Sequence, residues 1–598
     1  MTNLRDIALL MRSLVQMRRV MVNRALVNRA LVVVLTLLAL LGCGKPSVEV
    51  VDIKVEQETS LADHTKEFKK EVIKVTEGVW VAVGYGLANS IMLEGDNGLV
   101  IVDTMETLEE AEAVKNAFRK ISKKPIKAII YTHNHADHVF GSSAFSEGNA
   151  IDVYAHDTTS FYIDRVVNVI RPIVSVRGAR MFGSHLEGAA LENAGIGPHL
   201  GIGPDSRLDV LRPTKTFAQS LEVTVAGIHM VLEHAPGETN DQIFVWLPEK
   251  KVLLPGDNIY KTFPNLYTIR GTLHRDVLAW ANSIDKMRQL KPEFLVPSHT
   301  RPLQGGAFID ETLTDYRDGI QFVHDQTVYW MNRGLTPDEI VEKVKLPDEL
   351  SQSPFLQEFY GQVDWSVRSI FTGYLGWFDG NSTTLNPLPP LEKAQRIADL
   401  AGGGDVLLEK AKAAVLQKQW QWALELTDHL MVLGVKRDEA KLLRKDSLIA
   451  LGEMQSNPNA RHYYLTQALE LDNNFRAGVP VSPEKHMVHS LPLAGIFQSM
   501  AVNLNVEKAG DLRRVVNFEF PDVQQEYSLS LRNGVVEVQN YFQNNADITV
   551  TMRSSLWKEI VSEIRNPLVA FAAGDIAIEG DKTELIAFLA LVKAPDRE

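Results

Sequence analysis

The chain has 598 residues, 45% hydrophobic and 23% charged, the ordinary balance of a folded water-soluble protein, and its length alone suggests about four domains. Its 75 acidic and 62 basic residues give a net charge of −13 with no compensating basic stripe, which excludes a nucleic-acid partner and requires any positive pocket for an anion to be local. A single cysteine, Cys43, excludes an internal disulfide.

At the N-terminus, Arg18, Arg19, Arg24 and Arg29 precede the run 30–41, apolar except for Thr36, and then Gly42-Cys43-Gly44. Such a run is too short to span a bilayer but suits the core of a signal peptide. Leu40-Leu41-Gly42-Cys43 resembles a bacterial lipobox. Residues 1–43 then read as a lipoprotein signal peptide, with Cys43 lipidated. The expected location is the bacterial cell envelope, lipid-anchored on the periplasmic side or secreted. Residues 44–71 are charged with little apolar periodicity and read as a tether.

The next elements end on chemistry. A strand over 99–102 ends at Asp103, where the bland reading is a strand-end turn. An isoleucine-rich strand over 126–131 runs into Thr132-His133-Asn134-His135-Ala136-Asp137-His138. Imidazole and carboxylate suit Zn²⁺ and its neighbours, and strand alternation lets His133 and His135 share one side while Asp137 and His138 turn to a second centre. One metal would leave ligands over, so the reading is two metals. Residues 177–204 form a long Gly-rich stretch with Met181, Phe182, Leu186, Leu191, Ile196, Leu200 and Ile202, read as a loop that acts as a lid or merely covers the surface. An alternating strand over 221–232 leads to a turn carrying His234, Glu238 and Asp241. A strand over 251–254 ends in Pro255-Gly256-Asp257-Asn258, and one over 294–298 ends at His299. Taken singly, Asp257 and Glu238 would be turn and capping residues; in this order, after the histidine cluster, they read as ligands.

Helical periodicity follows over 309–332 and 336–371, then a turn and proline linker over 377–390. Residues 405–471 are helical throughout, with Trp420 and Trp422 expected in the core of the bundle. From about residue 513 the period changes to two, at Val516, Phe518, Phe520, Tyr527, Leu529, Leu531, Val536, Val538, Ile548, Val550 and Met552. Helices over 555–565 and 582–592 flank a last strand at 576–578.

The order of these motifs resembles the metallo-β-lactamase superfamily, and Glu238, where that family commonly has a histidine, resembles its alkyl sulfatase branch. The resemblance implies an α/β fold: an αββα sandwich over 72–385, an all-α helical dimerisation domain over 386–478, and a small α+β sterol-carrier-protein-like domain over 479–598. It assigns His133, His135 and Glu238 to one Zn²⁺ and Asp137, His138 and His299 to the other, with Asp257 bridging. Asp137 and Asp257 would serve catalysis beside a metal-bound hydroxide, two Zn²⁺ per chain lowering the pKa of a shared water. Asp257 departs from the glutamate usual in that branch. Asp103 resembles the buried aspartate that props the metal loop. Asn265-Leu266-Tyr267-Thr268-Ile269-Arg270-Gly271 resembles the signature whose Asn, Tyr and Arg face sulfate, with Arg275 a second candidate. A structural ion pair is the competing role for Arg270. The Gly-rich stretch would receive an alkyl chain. The implied protein is a homodimeric, membrane-tethered dinuclear zinc alkyl sulfatase acting on a small amphiphile. Two alternatives stand beside it: hydrolysis of another ester or amide (phosphodiester, lactone or β-lactam), and a non-catalytic amphiphile-binding lipoprotein.

Overall fold

The computed structural model describes residues 60–593 apart from 473, 474, 479 and 480. Cys43, the apolar leader and the tether up to residue 59 lie outside the described residues. Among the described residues no helix is long and apolar enough to cross a membrane.

Two sheets position the site. Strands Glu71–Thr76, Val79–Val83, Ser90–Glu94, Leu99–Val102, Ile126–Ile130, Asp152–His156 and Lys215–Phe217 lie side by side in that order. The first four form an antiparallel meander and the rest add in parallel. The second sheet runs Leu303–Gln304, Phe294–Leu295, Val252–Leu254, Ile243–Leu247, Ile228–His234, Ser220–Val225. Val79–Val83, Leu99–Val102 and Ile243–Leu247 are buried along their whole length, which is why their sequences are unbroken apolar runs. Ser220–Val225, at an edge, alternates instead.

Side-chain parity then builds the layers. Val79, Val81, Ile91, Leu93, Val100 and Val102 meet Met230, Leu232, Val245, Leu254 and Val296 from the second sheet in one core. The opposite parity, Trp80, Met92, Ile101 and Ile129, packs on Leu108, Ala111, Val114 and Phe118 of helix Leu108–Ile121. That helix starts where Thr107 accepts the Glu110 N–H at 3.3 Å, and its four buried residues recur at helical spacing. Phe244, Trp246, Leu253 and Leu295 face outward onto helices Val277–Gln289, Gly306–Met331 and Val363–Leu375. The result is the expected αββα order.

Helices Pro390–Ala401, Gly404–Leu416, Trp420–Leu433, Arg437–Glu453 and Pro458–Glu470 follow, the first three sharing a core of Ala398, Leu407, Leu408, Ala411, Ala423, Leu426 and Leu430 with Ala440 of the fourth. The C-terminal region is a five-stranded sheet in the order Val535–Gln539, Gln525–Arg532, Arg514–Phe520, Ile548–Met552, Ile576–Glu579. Its apolar parity, led by Phe518, Phe520 and Leu529, packs on Phe497, Trp557, Leu585 and Phe588 from flanking helices. A cleft of about 260 Å³ opens there between Leu491, Leu493, Val523, Tyr527 and Lys558.

Three expectations are corrected. The end of the tether is packed: Ser60 caps the turn Leu61–His64, while Leu61, His64 and Phe68 are buried and Glu67 pairs with Lys261 at 2.9 Å. A few apolar anchors outweigh a charged composition there. The Gly-rich stretch begins inside helix Arg171–Phe182, and Met181, Phe182, Leu186 and Ile196 are buried, mostly against Leu87, Tyr260 and Tyr360 rather than offered as a free apolar surface. Trp422 is 51% exposed, because the buried face of its helix centres on Ala423, Leu426, Thr427 and Leu430 and leaves it at the margin.

Candidate active site

Each ligand-type residue stands where a strand stops. The strand ends at Ile130, the chain bends through Thr132, His133 and Asn134, and after an extended His135 it closes into the helical turn Ala136–Val139. The expected strand alternation is therefore replaced by a bend, yet the grouping holds: His133 and His135 fall in one set of donors and Asp137 and His138 in another. Glu238 follows Ile228–His234, Asp257 follows Val252–Leu254, and His299 follows Phe294–Leu295. Asp257 rides on a short turn opened by Gly256 at φ +61°, where a Cβ would lie 2.0 Å from Gln242 Nε2.

The structure brings all seven together. His133, His135 and Asp257 form one triad of donor atoms, and Asp137, His138 and His299 another, each within 4.8 Å. Asp257 lies between them: its Oδ2 is 3.0 Å from His299 Nε2, 3.4 Å from His138 Nε2 and 3.7 Å from His133 Nε2. Glu238 Oε1 is 4.0 Å from His135 Nδ1. Solvent reaches the cluster at His135 and Asp137, whose side chains are 17% and 11% exposed, while His133, His138 and His299 are sealed.

Asp103 organises one side of this cluster. It is fully buried at φ +60°, a strained conformation for a non-glycine residue. Its carboxylate accepts from Thr132 N–H at 2.8 Å, Thr132 Oγ1 at 2.9 Å, Ser298 Oγ at 2.7 Å and His138 Nδ1 at 2.8 Å. That fixes the His138 tautomer and points Nε2 at the cluster. His299 is oriented likewise, its Nδ1 lying 2.9 Å from the Leu87 carbonyl and 3.1 Å from that of Ile196.

Charge explains what the cluster wants. Burial pushes the His133 imidazole down to about 4 and His135 well below its ordinary value, leaving both neutral. Burial works against charge on His138 too, but Asp257, Asp137 and Asp103 outweigh it and hold that ring well above the usual range. Asp257 and Asp137 stay low despite burial, drawn down chiefly by His299 and His138 respectively. Carboxylates packed this closely require positive charge at their centre, and divalent cations meet that need with the imidazoles neutral. His138 Nε2 and Asp257 Oδ1 are buried and lack any hydrogen-bond partner, so the donor set fits a metal better than it fits itself.

The opposite side carries the candidate anion contacts. Arg270 reaches in with Nη2 3.1 Å from His135 Nε2. Asn265 is fully buried, with neither amide atom partnered. Arg275 is buried and pairs with Glu238 at 2.7 Å while donating to the Asn265 carbonyl, with Nε and Nη2 left unpaired. It is therefore first of all the counter-ion of Glu238, whose carboxyl burial pushes up to about 6 against the pull of Arg275. Tyr267 is half-buried in the same loop, with no described hydrogen bond to the cluster.

Sequence reasoning passed over Tyr260 and Asn258 here and named Asp241 on its turn without giving it a role. Tyr260 O–H donates to Glu238 at 3.4 Å and accepts the Asn265 N–H at 2.9 Å. Asn258 accepts the Glu238 N–H at 3.2 Å and donates to the Ala235 carbonyl at 2.7 Å. Asp241 accepts from Asn134 and from Thr159, the latter at 2.8 Å. Position directly after Asp257 was the only signal for Asn258, and nothing local distinguishes Tyr260.

Comparison with known proteins places the chain as a whole among its relatives. The family model for the metallo-beta-lactamase superfamily matches residues 83–299, that for alkyl sulfatase dimerisation 336–474, and that for the alkyl sulfatase C-terminal region 482–598. The chain is 36% identical over 519 residues to a linear primary-alkylsulfatase of a Pseudomonas species, spanning 83% of this chain and 97% of that protein. It is 30% identical over 528 residues to an (R)-specific secondary-alkylsulfatase of Pseudomonas, spanning 85% and 79%. The solved structure of a stereoselective inverting sec-alkylsulfatase from Pseudomonas superposes with a TM-score of 0.83 at 28% identity, covering 90% of this chain and 87% of that one.

Proposed function

The chain belongs to the alkyl sulfatases, hydrolases of the metallo-β-lactamase superfamily, and from that premise we propose that it cleaves sulfate esters of alkyl chains with a pair of Zn²⁺ ions. His133, His135 and Glu238 would hold one ion and Asp137, His138 and His299 the other, with Asp257 between them. When bound, such ions supply Lewis acidity and lower the pKa of a water molecule so that hydroxide is available near neutral pH.

The chain's own residues do the rest. Asp103 keeps His138 and the 132–138 loop in place. Arg270 brings a fixed, permanently charged fork of donors to the solvent-reached side, which suits a sulfate monoester. The observation that carries the reading is Asn265, whose side-chain amide is buried without a partner while its backbone is joined through Arg275 and Tyr260 to Glu238. An unsatisfied buried amide costs about 1–3 kcal/mol, which an oxyanion lodged beside it would recover.

The dimerisation match, together with Leu391, Leu400, Leu416 and Leu442 standing exposed on the helical bundle, supports a homodimer. An envelope location with lipidation of Cys43 rests on the leader sequence alone.

The test is sulfate release from dodecyl sulfate, in ¹⁸O-water, by wild type and by His135→Ala. Metal-dependent release that His135→Ala abolishes is the expected result, and label in the alcohol or in sulfate assigns attack to carbon or to sulfur. Unchanged turnover in His135→Ala would sink the metal reading. A protein that spares dodecyl sulfate but hydrolyses a phosphodiester or lactone would move the substrate to the alternative class.

A further inference from the structure

Arg177 stands on helix Arg171–Phe182, and its guanidinium takes hold of backbone. Nε donates to the Arg270 carbonyl at 3.0 Å, and Nη2 donates to the carbonyl of Ile269. Two consecutive peptide units are thereby gripped by one planar fork. Within the loop, Gly271 sits at φ +101° and the turn at Arg270 is closed by the Gly271 N–H bond to the Thr268 carbonyl at 2.9 Å. One turn further along the same helix, Met181 Sδ accepts from Thr268 Oγ1 at 3.1 Å.

That helix is fastened to the bundle. Arg180 makes a two-pronged pair with Glu470 at 2.9 and 3.0 Å and lies over the Tyr463 ring at 5.7 Å. His462 Nε2 lies 2.6 Å from the Leu191 carbonyl, and Arg461 donates to that of Ala189 at 3.1 Å, so the segment after the helix is held as well. A continuous set of contacts therefore runs from helix Pro458–Glu470 through Arg180 and Arg177 to the backbone of Arg270.

We infer that Arg177 is a positioning residue for Arg270, aiming that side chain at the substrate's anionic head from a helix anchored on the bundle. The inference rests on Arg270 meeting the head group. A planar fork that satisfies two carbonyls at once sets the direction in which the Arg270 side chain leaves the backbone, and a lysine in its place would offer a freely rotating point charge without that fixed geometry.

The experiment is a double-mutant cycle on the metal-loaded enzyme, with Arg177→Ala, Arg270→Ala and both together. Each is assayed for KM and kcat on dodecyl sulfate and for inhibition by 1-decanesulfonate, which presents a similar anionic head with no ester to cleave. Arg177→Ala should weaken decanesulfonate binding and raise KM about tenfold, with zinc content unchanged, and should add little once Arg270 is already alanine. Arg177→Lys should recover only part of the loss. If Arg177→Ala folds poorly, the same cycle run with Arg177→Lys decides. Unchanged inhibition, or a loss that adds in full to that of Arg270→Ala, would overturn the positioning role. Should Arg270→Ala alone leave decanesulfonate binding intact, the reading of Arg270 fails first and the inference with it, an outcome distinct from failure at Arg177.

Discussion

On the side of the site built from residues 132–138, one buried carboxylate, Asp103, accepts four hydrogen bonds, while the ion-facing atoms His138 Nε2 and Asp257 Oδ1 lack partners. On the side built from residues 258–275, the amide of Asn265 and two nitrogens of Arg275 stay unsatisfied, and Arg270 is steadied from a helix outside the loop. The first side is complete apart from a cation. The second has spare donors, Asn265 Nδ2 with Arg275 Nε and Nη2, that suit an anion. Their unmet needs are opposite in sign and adjacent, as hydrolysis of an anionic ester at a metal centre requires.

The largest expected effect breaks the first side. His135→Ala should lower turnover by a factor on the order of 10³ and reduce zinc content, read by sulfate release and metal analysis. Next, Asp103→Asn keeps the volume but misplaces protons around His138; zinc affinity should fall roughly 10- to 100-fold, measured by competition with a chelator, with secondary structure intact by circular dichroism. Arg270→Ala attacks the other side. The loss of a charge-assisted contact, about 1.5–3 kcal/mol, should cut kcat/KM roughly 10- to 100-fold with zinc retained. Equal zinc loss in this variant would erase the distinction between the two sides.

A pH experiment sharpens the comparison from beneath the metal side. Glu106 is fully buried and accepts the N–H groups of Leu87 and Gly201, at 2.8 and 3.0 Å. Burial, followed by the charge of nearby Glu110, pushes its carboxyl up to about 8. Its folded pKa thus exceeds its unfolded value, so the folded state binds the extra proton. The associated stabilisation is complete below the unfolded pKa and is lost as pH rises through about 8. Wild-type melting temperature should therefore fall between pH 6 and 9, and Glu106→Gln should flatten that decline, by an amount on the order of 1–3 kcal/mol. The smallest effect is expected from Tyr260→Phe, which removes the hydroxyl shared by Glu238 and Asn265. It should cost about 1 kcal/mol in decanesulfonate binding and leave the Asp103 side untouched.

How much of this was legible in the sequence differs between the two sides for the same reason. The 132–138 residues are consecutive, so the chain states their proximity by itself, although the bend at 132–134 that aims the histidines was not legible as such. Glu238, Asp257 and His299 were readable because each closes an apolar strand, though only as members of an ordered set. The sandwich was expected from the family resemblance that this order of motifs carries, and buried strands such as 99–102 were legible as short apolar runs.

What the sequence determined, then, was identity and local proximity: which residues are ligand types, and which of them stand together or close an apolar strand. The tertiary structure alone decided partnership. That Arg275 neutralises Glu238 before anything else, that Tyr260 and Asn258 support the same carboxylate, and that Arg177 grips the backbone of Arg270 from a distant helix all depend on segments far apart in the chain becoming neighbours. It also decided burial, turning a Gly-rich stretch read as a loop into a helix and a packed layer against Tyr260 and Tyr360. The physical reason is that hydrogen bonding and desolvation are settled by what surrounds a group in space, and a linear pattern carries only what lies beside it along the chain.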